Sequence, residues 1–215
     1  MTTIACITAR NEAQTISALV RELRDAGLNV VVVDNGSADR TGELARQAGA
    51  HVITHTQSWE IGPSLMHAWN EALKLGAERI VQLDAGGSHR VGDLWRLRAC
   101  EADVVVGSRF VVGGIYQGRP WRALMSRVMS LACSARTGHC IHDWTSGYRT
   151  FTRAALGKLI CGPFRTGTHS WQIEVLNHAL QLKMGVEEVP ITYISGASSF
   201  NWRAAREALG VWSRL

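Results

Sequence analysis

Short apolar runs alternate with amphipathic stretches along the chain, and this alternation predicts an α/β fold. The continuous apolar run at residues 30–33 is typical of a parallel strand buried on both faces. Further strands are predicted at residues 4–8, 52–54, 79–83, 103–106 and 186–193. Helices are predicted after Asn11 and at residues 41–48, 64–75, 93–99, 121–135, 170–183 and 202–215. The alternation indicates an open, mostly parallel, Rossmann-like sheet flanked by helices.

Local signals refine two parts of this pattern. Asn11 is a candidate cap for the first helix, and Gly27 is a candidate end for it. The glycine-rich residues 107–118 are predicted to form the one long loop. This loop separates a nucleotide-binding half, about 1–110, from an acceptor half, about 111–215. No repeat, low-complexity tract or linker is visible, so we expect a single domain over residues 1–215.

Composition narrows the class of protein. The chain has 215 residues, of which 46% are hydrophobic and 19% charged, so it can bury a sizeable core. No apolar run approaches the roughly 20 residues of a membrane span, and the first residues do not resemble a signal peptide. The five cysteines are scattered and include no C-x-x-C, which favours reduced thiols. We therefore expect a cytoplasmic protein.

The charge is +5, and twenty of the 23 cationic side chains are arginine. Arginine binds phosphate oxygens in pairs, so this bias favours phosphate-bearing partners. A solvated arginine-rich surface is the alternative explanation for most of these residues.

Polar residues follow three of the predicted strands, at the edge where α/β sheets bind ligands. They are Asp34, Asp84 and Arg109. The chain has neither a G-x-x-x-x-G-K-[ST] loop nor a G-x-G-x-x-G motif, which argues against an ATPase and a dinucleotide dehydrogenase. An acidic rim instead suggests a diphosphate that is held through a divalent cation.

Several motifs in this order resemble a family 2 glycosyltransferase of the GT-A fold. In the first half they are NE at 11–12, VDNGSADRT at 33–41, LDAGGSH at 83–89 and GSRF at 107–110. The second half looks like the polyprenyl-phosphate (dolichol-phosphate) mannose synthase branch. Its motifs are WR at 121–122, SR at 126–127, DWTSGYR at 143–149, Glu174 and VEEVPI at 186–191. The resemblance covers about residues 4–200.

The resemblance implies a role for each matching position in the nucleotide half. The positions that would hold the nucleotide of a UDP- or GDP-linked sugar are Asn11, Glu12, Asp34, Asn35 and Ser37. Asp84 would bind Mg²⁺ or Mn²⁺ at the diphosphate, where the metal offsets the charge of the departing nucleoside diphosphate.

The resemblance also implies roles around the acceptor. Arg109, Arg122 and Arg127 are candidates for gripping phosphates of the donor or the acceptor. Asp143 would lie near the acceptor, with Arg149 beside it.

The chain departs from the family pattern at three places. Gly86 stands where the D-x-D motif has its second acid, so His89, Ser88 or water would have to complete the metal site. Asn35 replaces a second acid after Asp34. The family's Arg and Lys around residues 196–199 are also missing.

The acceptor decides the mechanism. A lipid phosphate is largely dianionic at neutral pH and can attack the anomeric carbon without a general base. A hydroxyl acceptor would need a carboxylate within roughly 3 Å, and Asp143 is the only acid in an acceptor-side motif. The resemblance implies inversion by direct displacement in both cases.

Residues 121–135 and the tail with Phe200, Trp202, Ala205, Leu209 and Trp212 carry apolar side chains at helical spacing. These segments fit either a core-facing helix or one lying peripherally on the cytosolic membrane face. The sequence therefore predicts transfer of a hexose to a polyprenyl phosphate. Two alternatives stay open: transfer to a nucleic acid or another hydroxyl acceptor, and a non-catalytic binder of nucleotide sugar or nucleic acid.

Overall fold

A seven-stranded sheet, with strand order β3-β2-β1-β4-β7-β5-β8, forms the centre of the protein in a computed structural model that describes residues 2–195 and 202–215. Its strands are β1 (Thr3–Ala9), β2 (Asn29–Asn35), β3 (His51–His55), β4 (Arg79–Asp84), β5 (Val104–Ser108), β7 (Arg149–Thr152) and β8 (Val186–Pro190). A second sheet pairs β6 (Ile115–Gln117) with β9 (Thr192–Ile194).

The helices connect these strands. They are α1 (Ile16–Asp25), α2 (Thr41–Gln47), α3 (Ile61–Lys74), α4 (Leu94–Ala99), α5 (Pro120–Thr137), α6 (Arg153–Leu159), α7 (Trp171–Gln181) and α8 (Trp202–Trp212). All strand pairs are parallel except those of β7, which is antiparallel to both β4 and β5. The predicted mostly parallel α/β sheet is confirmed, and it takes strands from both halves of the chain.

Two apolar clusters cover the faces of the sheet, and β2 shows how the sequence divides between them. Val31 and Val33 belong to the cluster that contains Trp69 and Phe151, whereas Val30 and Val32 belong to the other cluster. The continuous apolar run therefore has the burial on both faces that its composition predicts.

Three predictions about the elements are wrong. The predicted strand 186–193 is split, because β5 ends at Ser108 and the chain beyond Pro190 pairs with β6 instead. The predicted loop 107–118 contains β6. Asn11 does not cap α1, which begins at Ile16. Asn11 has a φ of 56° and accepts a hydrogen bond from the N–H of Ala38.

The pattern also missed β7 and α6. β7 has only four residues, too few to show a period, and α6 follows it directly. The unusual segment around residues 196–199 and Phe200 lies outside the described residues.

Thr152 joins β7 to α6 as a helix cap. Its Oγ1 accepts a hydrogen bond from the N–H of Ala155 at 3.2 Å. We predict that Thr152→Ala lowers the free energy of unfolding by about 1 kcal/mol, because that N–H loses its partner. Thr152→Ser keeps the oxygen and should recover most of the loss in urea denaturation. Equal stability of the alanine variant and the parent would contradict this assignment.

Candidate active site

The strands β1, β2, β4 and β5 end at the same edge of the sheet, where the predicted site residues gather. Asn11 and Glu12 follow β1, and Arg109 follows β5. Asp34 and Asn35 are the last residues of β2, with Ser37 just beyond them, and Asp84 is the last residue of β4. Parallel strands bring their carboxyl ends together, so these sequence-distant residues share one rim.

Side chains on the loops after β1 and β2 tie the two loops together. Ser37 Oγ accepts the N–H of Asn11 at 3.0 Å, and Asn11 Oδ1 accepts the N–H of Ala38 at 2.8 Å. Thr41 Oγ1 accepts the N–H of Glu12 at 2.8 Å. Asn11 and Ser37, two of the residues predicted to hold a nucleotide, therefore shape these loops.

Asp34 and Asn35, at the end of β2, are also engaged within the protein. Asp34 is buried, and its Oδ1 accepts the N–H of Ser37 at 3.1 Å. The Asn35 amide binds both main-chain groups of Trp59: its Oδ1 accepts the N–H, and its Nδ2 donates to the C=O, each at 2.8 Å. Asn35 thus fixes the loop that follows β3.

Two carboxylates at the rim remain open to solvent. The Asp84 side chain is 56% exposed. Glu12 is partly exposed, and its Oε1 would lie 3.4 Å from a Cβ placed on Gly86. The Glu12 carboxylate thus stands next to the position where the family's second acid is missing.

His89 lies below this rim. Its ring is buried, and its Nδ1 accepts the N–H of Asp84 at 3.2 Å. Burial lowers the pKa of the His89 imidazole, although Asp84 acts in the opposite direction. Because Nδ1 already has a donor, this nitrogen supports the Asp84 turn and is not open to a metal.

A divalent cation fits this rim only when part of its coordination comes from elsewhere. Within the described ranges, no group of three or more His, Cys, Asp or Glu side chains is arranged to hold a metal. Mg²⁺, however, commonly binds one or two carboxylates together with waters and substrate phosphates. Asp84 and Glu12 suit a cation of this kind, which arrives with a diphosphate.

Arg109 and Asp143 form a buried ion pair beside the rim. Asp143 Oδ2 accepts Nε of Arg109 at 2.7 Å, and Oδ1 accepts Nη2 at 2.6 Å. Asp143 also accepts the main-chain N–H of Arg109 at 3.0 Å and is fully buried. Burial acts to lower the pKa of Arg109, but Asp143 outweighs it and the pKa is raised. The Arg109 guanidinium therefore remains charged, and it is paired with Asp143.

Arg149 is buried deeper than Arg109. Its guanidinium donates to the carbonyls of Gln172 at 2.7 Å and Trp144 at 2.9 Å, and the residue has no exposed surface. Burial lowers the pKa of Arg149 to about 9, so it is still protonated at neutral pH. Arg149 braces the segment before β7, and solvent does not reach it.

Two arginines of α5 lie toward the rim or the surface. The Arg127 guanidinium lies 4.9 Å from the Phe110 ring centroid, and that of Arg109 lies 5.0 Å from the same centroid. Arg127 is exposed, and Arg122 is half-buried with its guanidinium 5.4 Å from the Trp121 centroid. Of the three arginines predicted to bind phosphate, Arg127 is thus the exposed one, and it lies close to the ion pair of Arg109 and Asp143.

Residues 4–160 match the sequence model of the family described as glycosyl transferase family 2. The chain belongs to this family. The glycosyltransferase is 31% identical to a polyprenol monophosphomannose synthase of Mycolicibacterium smegmatis, over 96% of this chain and 84% of the relative. It is 30% identical to an undecaprenyl-phosphate mannosyltransferase of Micrococcus luteus, over 90% of this chain and 84% of that protein.

Solved structures show the same fold. Glucosyl-3-phosphoglycerate synthase from Mycobacterium tuberculosis, in complex with UDP, matches with a TM-score of 0.71 and 18% identity, over 98% of this chain and 78% of that one. The same enzyme with Mn²⁺ and UDP-glucose matches with a TM-score of 0.70 and 19% identity, over 98% of this chain and 76% of that one. The GT-A fold expected for this glycosyltransferase is confirmed.

Trp59 was not singled out from the sequence, and Glu188 was named only as part of the VEEVPI motif. Trp59 is fixed at the rim by Asn35, and the polar segment after β3 was a signal that could have found it. Glu188 binds the N–H groups of His142 at 2.8 Å and Asp143 at 2.9 Å. Glu188 thus holds the segment that carries the buried ion pair.

We predict that Asp143→Asn destabilises the glycosyltransferase by about 3–5 kcal/mol, because it leaves the Arg109 charge buried without its partner. Asp25, which is exposed at the end of α1, provides the control: Asp25→Asn should change stability by less than about 0.5 kcal/mol. Chemical denaturation measures both effects. A fully stable Asp143→Asn variant that has lost transfer would instead favour Asp143 as a general base.

Proposed function

We propose that this glycosyltransferase moves a hexose from a UDP- or GDP-linked sugar to a polyprenyl phosphate at a membrane surface. The observation that carries the proposal is an apolar face of α5 that is turned to solvent, on the helix whose Arg127 shares the Phe110 ring with Arg109 of the rim. The names of the two relatives, which refer to polyprenol and undecaprenyl phosphate, support the same acceptor class. Nothing in the comparisons supports a nucleic-acid acceptor.

The apolar face of α5 consists of Trp121, Leu124, Met125, Val128 and Leu131, all exposed. The spacing of three and four residues places them on one side of the helix. Leu124 is 61% exposed and Leu131 is 70% exposed, whereas a helix side turned to water normally carries polar residues. The lipid chains of a membrane surface are a suitable environment for this face.

α8 extends the apolar surface. Trp212 Nε1 donates to the carbonyl of Ala132 at 3.0 Å, which places α8 against the later part of α5. Leu209 of α8 is 60% exposed. Among residues 2–195 and 202–215, no helix has the length and apolar character needed to cross a membrane. The exposed apolar residues of α5 and α8 support contact in the plane of the interface as the mode that we propose.

The donor side of the proposal rests on the two open carboxylates. Asp84 and Glu12 would hold Mg²⁺ or Mn²⁺ together with the oxygens of the sugar-nucleotide diphosphate. A bound divalent cation would offset the negative charge that develops on the leaving nucleoside diphosphate. The loops after β1 and β2 would position the nucleotide mainly through their main-chain shape, since Asn11, Asp34 and Asn35 are already engaged.

The acceptor side needs no general base. A phosphate oxygen that is already ionised can attack the anomeric carbon directly, with inversion, as the sugar leaves the diphosphate. This agrees with the engagement of Asp143 by Arg109. Arg127, and with it Arg122, would orient the acceptor phosphate at the interface between the rim and the apolar face of α5.

A transfer assay tests the proposal. The full chain is incubated with labelled UDP- and GDP-hexoses, Mn²⁺, and anionic vesicles that contain polyprenyl phosphate. We expect a lipid-linked hexose from one donor class. Asp84→Asn should reduce kcat by about 100-fold or more, because the charge at the diphosphate is no longer offset. Asp25→Asn is the control. Absence of lipid product with every donor, or full activity of Asp84→Asn, would refute the proposal.

A second experiment addresses membrane contact. We predict that the double variant Leu124→Glu, Leu131→Glu sediments with anionic vesicles at least about tenfold more weakly than the parent, because two exposed leucines that would enter the lipid interface are exchanged for charges. Leu75 and Leu182 are also exposed, but they follow the last residues of α3 and α7 and are not part of the apolar face of α5. The matched variant Leu75→Glu, Leu182→Glu should sediment like the parent. Equal binding of both variants would contradict the assignment.

A further inference from the structure

Trp59 lies on the loop between β3 and α3, and its main chain is fixed at the rim. The Asn35 amide contacts both its N–H and its C=O, each at 2.8 Å. The same loop passes close to Gly36, where an added Cβ would lie 2.8 Å from the main-chain carbon of Gln57. Gly36 also has a φ of +68°, so the close approach depends on glycine. The main chain of Trp59 is thus held by Asn35, the residue that follows Asp34.

One face of the indole is covered. The His55 ring stacks on it with a centroid separation of 3.8 Å and an interplanar angle of 29°. His55 is itself buried, and its Nε2 lies 2.9 Å from Nδ1 of His67. The two histidine rings are nearly parallel, at an interplanar angle of 19°. The His55 ring, held at its edge by His67, thus supports the indole from one side.

The indole nevertheless remains 42% exposed, whereas Trp69, Trp144 and Trp171 are fully buried in the core. An aromatic ring that is supported from below and held by its main chain loses little conformational freedom when a second ring stacks on it. Such a platform suits a ligand with a flat aromatic face better than it suits a phosphate.

From this geometry we propose that Trp59 is the stacking platform for the nucleobase of the donor, and so a positioning residue of the nucleotide site. The inference rests on the proposed function, because that function supplies a nucleotide at this rim. Every base has a π-face, so the platform accepts either a pyrimidine or a purine. Base identity is then determined by other groups at the rim.

Isothermal titration with UDP, GDP and inorganic diphosphate, each with Mn²⁺, tests this inference on the full chain. Trp59→Ala should weaken binding of the preferred nucleoside diphosphate by about 5- to 100-fold, the range that loss of base–aromatic stacking gives. Binding of inorganic diphosphate should stay unchanged, because it has no base to stack. Trp59→Phe keeps an aromatic ring and should recover most of the affinity.

Trp95 on α4, which is 63% exposed, supplies the matched control, and Trp95→Ala should bind like the parent. The inference is overturned if Trp59→Ala binds the nucleoside diphosphate as tightly as the parent, or if it loses inorganic diphosphate to the same extent. Failure of the proposed function looks different, since the parent itself would then bind neither nucleotide. In that case the platform has no base to receive and the inference also falls.

Discussion

Buried polar groups are costly without a partner, and the partners that the groups at the carboxyl edge of this sheet find within the protein limit what the site can do. Asn11, Asp34 and Asn35 satisfy main-chain groups of neighbouring loops. Asp143 and Arg109 satisfy each other. Because these groups are occupied, the rim keeps its shape and leaves only a few side chains available to a ligand. Asp84 and Glu12 are the acids among them.

The exposed and the buried side chains at the rim differ in what they can bind, and this difference favours a particular chemistry. Exposed carboxylates suit a cation-bridged diphosphate, and a paired, buried Asp143 suits an acceptor that brings its own negative charge. Arg127, on the helix that carries the exposed apolar face, and Arg109 of the rim both lie over the Phe110 ring. A lipid phosphate is an acceptor that matches both surfaces. Its phosphate suits the charged rim, and its lipid chain suits the apolar face of α5.

The sequence was sufficient to predict the architecture and the edge of the sheet at which the candidate residues gather. Apolar runs such as that of β2 and the residues that follow each strand gave the parallel sheet and its rim. The elements that escaped prediction are short, as β7 is, or depend on distant partners: β9 pairs with β6 after the chain leaves β5. Pairing across the sheet has no signature in a local window.

Individual roles at the site were harder to predict than its position. A motif places Asp143 or Asn35 at the rim, but it does not show whether the side chain points to a ligand or to a neighbouring loop. Their hydrogen-bond partners, Arg109 and Trp59, are more than twenty residues away in the chain. The closeness of Glu12 to Gly86 depends in the same way on how two loops meet.

We propose above all that Asp84, together with Glu12, holds the diphosphate of the donor through a divalent cation. A crystal structure of the protein with a nucleoside diphosphate and Mn²⁺, collected at the manganese absorption edge, tests it most directly. The account predicts an anomalous peak within coordination distance of an Asp84 carboxylate oxygen and of both phosphates. A bound nucleotide whose diphosphate lies away from Asp84, with no peak there, would contradict it.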